Sequence, residues 1–262
     1  MSLTNKTLAN TYKDILQMDN SNSGVDTTTR VIKDGEGTES VLSISDDQLL
    51  IQPKNDDTTS TIRARAKNGT DLFVMDSTNS KVSALGNYVN TQYAHFSIGS
   101  TQSTNFADDT HQAIPFDVSN YATLTYPPAF GTGTDPATTF TTSEGNGTRA
   151  SDIVACIWYV PDAISIDAVT SLEGADTATG DTTRMHLFSY TFTSGSTNCL
   201  TSGTLLAHNS DVTNAGSEQP YLSTWTVDSA AVTAGKVILA FFKSDSVNSD
   251  YSLNIKVKYH LT

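Results

Sequence analysis

Of 262 residues only 16% are charged, and these are 28 Asp and Glu against 15 Lys and Arg, a net charge of −13. Globular chains average about 25% charged residues, so polarity here rests on Ser, Thr, Asn and Gly, which favour strands and turns over helices. An acidic chain without a basic cluster repels phosphate backbones, which argues against nucleic-acid binding. No apolar run reaches transmembrane length, and Met1-Ser-Leu-Thr-Asn-Lys6 carries no secretory pattern, so a soluble, cytosol-made protein with no membrane insertion is expected. The sequons at Asn5, Asn68 and Asn146 then read as turn chemistry. Cys156 and Cys199 allow one bridge, but Cys156 lies in the apolar run 153–158 and reads as a small buried hydrophobe.

Residues 1–25 read as an N-terminal anchor. Leu8, Tyr12, Ile15 and Leu16 fall at i, i+4, i+7 and i+8, one face of a helix of about three turns ending near residue 17. A lone helix of that length is marginal in water, so its apolar face needs a partner surface, and these four residues are the candidate docking residues. The run 20–24 (NSNSG) ends the helix.

Residues 26–87 read as a segment of short strands. Val41, Ile44, Leu49 and Ile51 flank Asp46-Asp47, and Ile62, Ala64 and Ala66 alternate with Arg63, Arg65 and Lys67, the period of a half-buried strand. Asn68-Gly69 makes a turn, 72–74 a further strand, and 76–80 (DSTNS) closes it before Val82. A segment so poor in large apolar side chains cannot bury enough surface to offset chain entropy, so it calls for packing against copies of itself or a host.

Residues 88–262 read as a C-terminal β-sandwich of jelly-roll character. Strands are expected at 88–98, 114–118, 122–125, 138–142, 152–159, 164–172, 183–191, 203–207, 221–227, 236–242 and 251–259, separated by turn clusters such as 160–163 and 194–198. Trp158, Phe188, Tyr190, Phe192, Trp225, Phe241 and Phe242 are the candidate core. The fold class is therefore all-β, with a short N-terminal helix, a β-rich stalk segment and an antiparallel sandwich.

Catalytic signatures are missing: no nucleophile elbow, zinc-protease motif, phosphate loop or Cys-x-x-Cys occurs. The five histidines have no metal-ligand spacing, and His186 and His260 sit in strand patterns as structural residues. Asp108-Asp109-Thr110-His111 is the nearest approach to a metal loop, but a hard cation needs several more oxygens in a defined order, so a solvated turn is the expectation. No enzyme activity, cofactor or metal is predicted.

The runs 7–26 (TLANTYKDILQMDNSNSGVD), 34–37 (DGEG), 42–51 (LSISDDQLLI) and 72–82 (LFVMDSTNSKV) resemble virion structural proteins of marine tailed bacteriophages, of the fibre, spike or decoration type. The resemblance covers residues up to about 85; beyond them 159–166 (YVPDAISI) and the general sandwich pattern support it. It implies a homotrimer docked by its N-terminus to capsid, neck or tail proteins, a variable exposed β head, and no catalytic residues. The alternative is a host-attachment module, in which loops 99–112, 131–148 and 173–182 recognise a surface glycan, with Tyr126, Tyr221 or Trp225 as stacking residues.

Overall fold

The structure is a computed structural model and describes residues 13, 15–21, 23–101, 106–117, 127–143, 148–176, 180–215, 219–246 and 250–262. Leu8, Tyr12, Tyr126 and the expected strand 122–125 lie outside these residues. The chain divides into two compact units, Met1–Val89 and Asn90–Thr262.

Among the described residues, the first unit holds two antiparallel four-stranded sheets. One runs in chain order through β1 (Gln17–Met18), β2 (Arg30–Lys33), β3 (Glu39–Ile44) and β4 (Leu49–Ile51). The other runs through β5 (Ile62–Arg65), β6 (Asp71–Asp76), β7 (Lys81–Ala84) and β8 (Asn87–Tyr88). Turn chemistry carries these hairpins. The Asp34 carboxylate accepts from the backbone N–H groups of Glu36 at 2.9 Å and Thr38 at 2.8 Å, and Gly37 takes φ +90°. At Asn68-Gly69, Gly69 takes φ +88° and the register slips between Ala64 and Arg65, a bulge that lets the β5–β6 turn close. Ile15 and Leu16 immediately precede β1, and Gln17 and Met18 pair with Lys33 and Ile32, so the expected helix does not reach residue 17. Ladder pairing to β2 satisfies backbone groups that a last helical turn would leave open.

In this unit Ser43 is the only buried side chain among the described residues, and no apolar side chain is buried. Leu49 is 62% exposed and Leu85 71%.

The second unit is an antiparallel sandwich. Its elements are β9 (Thr91–Thr101), β10 (Gln112–Ile114), α1 (Ala150–Val154), β11 (Trp158–Tyr159), β12 (Ile164–Asp176), β13 (Thr182–Phe192), β14 (Leu200–His208), β15 (Val212–Thr213), β16 (Pro220–Thr224), β17 (Thr226–Val227), β18 (Ala231–Val232), β19 (Lys236–Ser244) and β20 (Asp250–Leu261). One sheet has the order β16-β12-β20-β9 with β18 added on β12. The other has the order β10-β19-β13-β14-β17, with β11 on β19 and β15 on β13.

Alternation along the long strands builds two apolar layers. Ile238, Ala240 and Phe242 of β19 and Met185 and Leu187 of β13 face the opposite sheet, meeting Phe96, Val169, Ile255 and Val257. Val237, Leu239 and Phe241 point the other way, with Phe188 and Tyr190, into a second core closed by Phe130, Phe140, Ile153 and Cys156. Burial on both faces explains the unbroken run VILAFF at 237–242.

Four expected strands differ, the one at 114–118 lying earlier as β10, with only a lone bridge from Phe116 to Phe96 after it. At 152–159 the chain makes the single-turn helix α1 and only then β11. The turn places Ile153 and Cys156 on one side against the second core and leaves Val154 outside. The run 138–142 contributes a lone bridge, Phe140 to Leu200. The run 221–227 breaks at Trp225, which turns inward so that its indole N–H donates to Ser171 Oγ at 2.9 Å. Cys156 and Cys199 are free and buried in the second core, and burial pushes both thiols up.

Gly203 is fixed by space rather than by φ: a Cβ there would stand 2.6 Å from the Tyr190 ring and 2.8 Å from Thr138 Cα. Tyr190 is fully buried and its hydroxyl donates to Ala137 O, so it has no room to move. Gly203→Ala is expected to lower stability by about 1–3 kcal/mol, read from the urea midpoint.

Candidate functional site

A polar cavity of about 250 Å³ opens at one end of the sandwich, lined by Asp109, Thr134, Thr182, Thr183, Arg184, Asp211, Lys243 and Asp245. The start of β13 supplies Thr182, Thr183 and Arg184, the end of β19 supplies Lys243, and loops supply the rest. Segments 99–112, 131–148 and 173–182, each expected as a surface loop, contribute Asp109, Thr134 and Thr182 respectively. Arg184 and Lys243 are directly opposed across β13 and β19, two cations on neighbouring positions of one sheet face. Like charges so placed repel. Carboxylates flank them: Arg184 Nε lies 3.1 Å from Asp211 Oδ1, and Lys243 Nζ lies 3.3 Å from Asp109 Oδ1. The Arg184 Nε is buried and makes no hydrogen bond of good geometry.

The walls are braced. Thr182 N–H donates to Asp245 Oδ1 at 2.7 Å, Asp245 N–H returns a bond to Thr182 O at 3.1 Å, and Asp109 N–H donates to Ser244 O at 2.8 Å. Behind them, Thr183 Oγ1 donates to the buried Glu173 Oε1 at 2.6 Å, tying β13 to β12 across the sandwich. Burial pushes the Glu173 carboxyl up, against the opposing pull of hydrogen bonds from Thr183 and Asn214.

Beside the cavity three imidazoles form a row. His111 and His186 are buried and meet edge to face with ring centres 4.9 Å apart, and His208 stacks beyond His186 at 6.5 Å. His111 Nε2 donates to Gly133 O at 3.1 Å, and His186 Nε2 lies 3.3 Å from Asp135 Oδ1, so both hold the loop that carries Thr134. The Nδ1 atoms of His111 and His186 are buried without a partner, leaving each ring half satisfied. Burial, reinforced by the neighbouring His111, Arg184, His208 and Lys243, holds the His186 pKa down to about 3. His111 is lowered as well, mainly by burial. His208 Nδ1 meets Asp228 Oδ2 at 2.8 Å, and His260 Nδ1 meets Asp167 Oδ1 at 2.9 Å. This row had no signal in the sequence, because its members come from a loop and two strands far apart in the chain.

Asp108-Asp109-Thr110-His111 does not converge: His111 turns into the protein while Asp109 faces Lys243. Among the described residues no three His, Cys, Asp or Glu stand together as a metal-holding group. Trp225 is buried against Ser171, and Tyr221 is half-buried, its oxygen accepting from Ala215 N–H at 3.1 Å and donating to Gln219 at 3.2 Å. Neither lines the cavity.

The first unit has an apolar groove of about 470 Å³ between its sheets, lined by Leu49, Ile51, Pro53, Ile62, Met75 and Val82 among others. Strands β4 and β5 each stand at the end of their sheet there. Leu16 is 69% exposed and Ile15 is half-buried.

No protein-family model and no curated protein matches the chain. Among solved structures it is similar to Eiger TNF from S. frugiperda, with 11% identity over 66% of this chain and 94% of that chain and a TM-score of 0.30.

An unfolded chain takes up protons at His111 and His186 below the ordinary imidazole value of 6.5, while the folded chain resists until about 3 at His186. Their contribution to stability is present above 6.5 and is lost as pH falls through that window. In His186→Gln the slope of unfolding free energy against pH is expected to fall by about one proton between those limits, read from urea titrations at stepped pH.

Proposed function

We propose that this chain is a non-enzymatic structural protein of a phage particle, assembling as a homotrimer through its N-terminal unit, docked to other virion proteins by its N-terminus, with the sandwich exposed. The observation that carries this reading is the first unit's lack of any buried apolar side chain among the described residues, with Leu49, Leu72, Met75 and Leu85 exposed. Two small sheets without a core do not offset their chain entropy, and free edge strands invite pairing, so covering by further copies is the economical solution.

The charge distribution favours contact at this end. Residues 1–89 hold nine Lys and Arg against twelve Asp and Glu, a net −3, whereas residues 90–262 hold six against sixteen, a net −10. Copies therefore repel least where the apolar groove lies. The phage setting rests on the resemblance of the first 85 or so residues. A jelly-roll reading of the sandwich is supported by strand order: the unit's first strand, β9, neighbours its last, β20, in one sheet, and its second, β10, neighbours its next-to-last, β19, in the other.

A second reading, host attachment through a surface glycan, is favoured by the polar cavity at which the three loops meet.

Light scattering on the full chain and on a fragment from Asn90 tests the first reading; both core clusters lie within the fragment, so it is expected to fold. The expected masses are a trimer and a monomer. A monomeric full chain at high concentration would sink the proposal. Within the full chain, Leu49→Glu with Met75→Glu is expected to shift the trimer toward monomer while leaving the sandwich's thermal transition in place.

A further inference from the structure

We infer that the cavity between Arg184, Lys243, Asp109 and Asp211 is a binding site for a single uncharged sugar residue, an inference that deepens the host-attachment reading and rests on it. A sugar offers neighbouring hydroxyls that each donate and accept. The cavity presents the matching alternation: two cationic donors set side by side by the β13–β19 register, flanked by two carboxylate acceptors. Each ion pair uses one contact of groups that have several. An arginine carries five N–H donors, a lysine three, and a carboxylate about four acceptor positions, so most of this capacity remains for a ligand. Arg184 Nε is buried without a well-directed hydrogen bond, which marks the guanidinium as incompletely satisfied.

The lining chemistry selects among ligands. Every lining residue is charged or a threonine, so apolar ligands gain nothing by entering. Three carboxylates against two cations, in a unit of net −10, disfavour anions. The volume of about 250 Å³ lies below the range usual for drug-sized ligands, which fits one sugar ring rather than an oligosaccharide. The site is preformed: the paired bonds between Thr182 and Asp245, one of them accepted by the Asp245 carboxylate, and the backbone bond from Asp109 to Ser244 hold the walls before any ligand arrives. With no aromatic platform in the lining, hydrogen bonds alone carry the affinity, so single-site binding is weak and a trimer gains strength from several sites on one surface.

The test is saturation-transfer NMR on the full chain with a panel of free glucose, galactose, mannose, N-acetylglucosamine and glucuronate, alongside a host-glycan array. Saturation transfer to at least one neutral sugar, stronger than to glucuronate, is expected. Arg184→Gln and Asp211→Asn should each weaken it by about tenfold, the cost of one charged hydrogen bond. Thr134→Val lies on an exposed loop and leaves the charged frame intact, so it keeps the test valid if either of those variants fails to fold. It should weaken binding too, whereas Leu222→Ala, outside the cavity, should not. Absence of transfer to every neutral sugar, or transfer unchanged in all three cavity variants, overturns the inference. Array binding that persists undiminished in the cavity variants also overturns it while leaving the host-attachment reading standing. A flat array with cavity-dependent sugar binding supports the site and removes the host-attachment reading instead.

Discussion

The constraint on which the second unit depends is the burial of β13 and β19 on both faces. Each strand must place apolar side chains alternately into two separate cores, and their pairing from Thr183–Ser244 to Thr191–Lys236 keeps that alternation in step. A slip of one residue would exchange the two sets and bring Arg184 and Lys243 onto the inner face. The register that aligns Leu239 with Phe188 is therefore the same register that sets the two cations side by side at the rim. Core and candidate site are consequences of one pairing.

Where the strands run out, polar residues take over the joining of layers. Glu173 and Ser171 sit on the inward face of β12, where apolar residues would be expected, and each meets a partner from another strand: Thr183 for Glu173, Trp225 for Ser171. On the opposite face of the larger sheet His111 and His186 fasten the loop at 131–136 above it, while His208, stacked beyond them, pairs with Asp228. Such groups are costly to bury, and they recur where the cavity is built. The first unit shows the opposite economy. Its hairpins are specified by local turn bonds at Asp34, Asn68 and Asp76, and among the described residues they bury no apolar side chain.

Much of this was legible in the residues. Period-two alternation marked β12, β13 and β20, the apolar run at 236–242 marked a strand, and the scarcity of large apolar side chains in 26–87 marked a segment without its own core. What misled was a short apolar run, 153–158, which fits a strand and a helical turn equally well over so few residues. Trp225 likewise read as part of a continuous strand, because nothing local shows that its indole turns toward Ser171.

Composition, periodicity and turn residues by themselves determined the all-β class, the hairpins and the contrast between a core-poor first unit and a core-rich second one. These depend on interactions between near neighbours in the chain, which sequence spacing records. Only the tertiary structure decided which strands are neighbours, that the larger sheet is covered twice, and that Asp109, Thr134, Arg184, Asp211 and Lys243 surround one cavity. Those residues come from loops and strand ends far apart in sequence, and no local pattern encodes the distance between two positions that meet only when the sheets close.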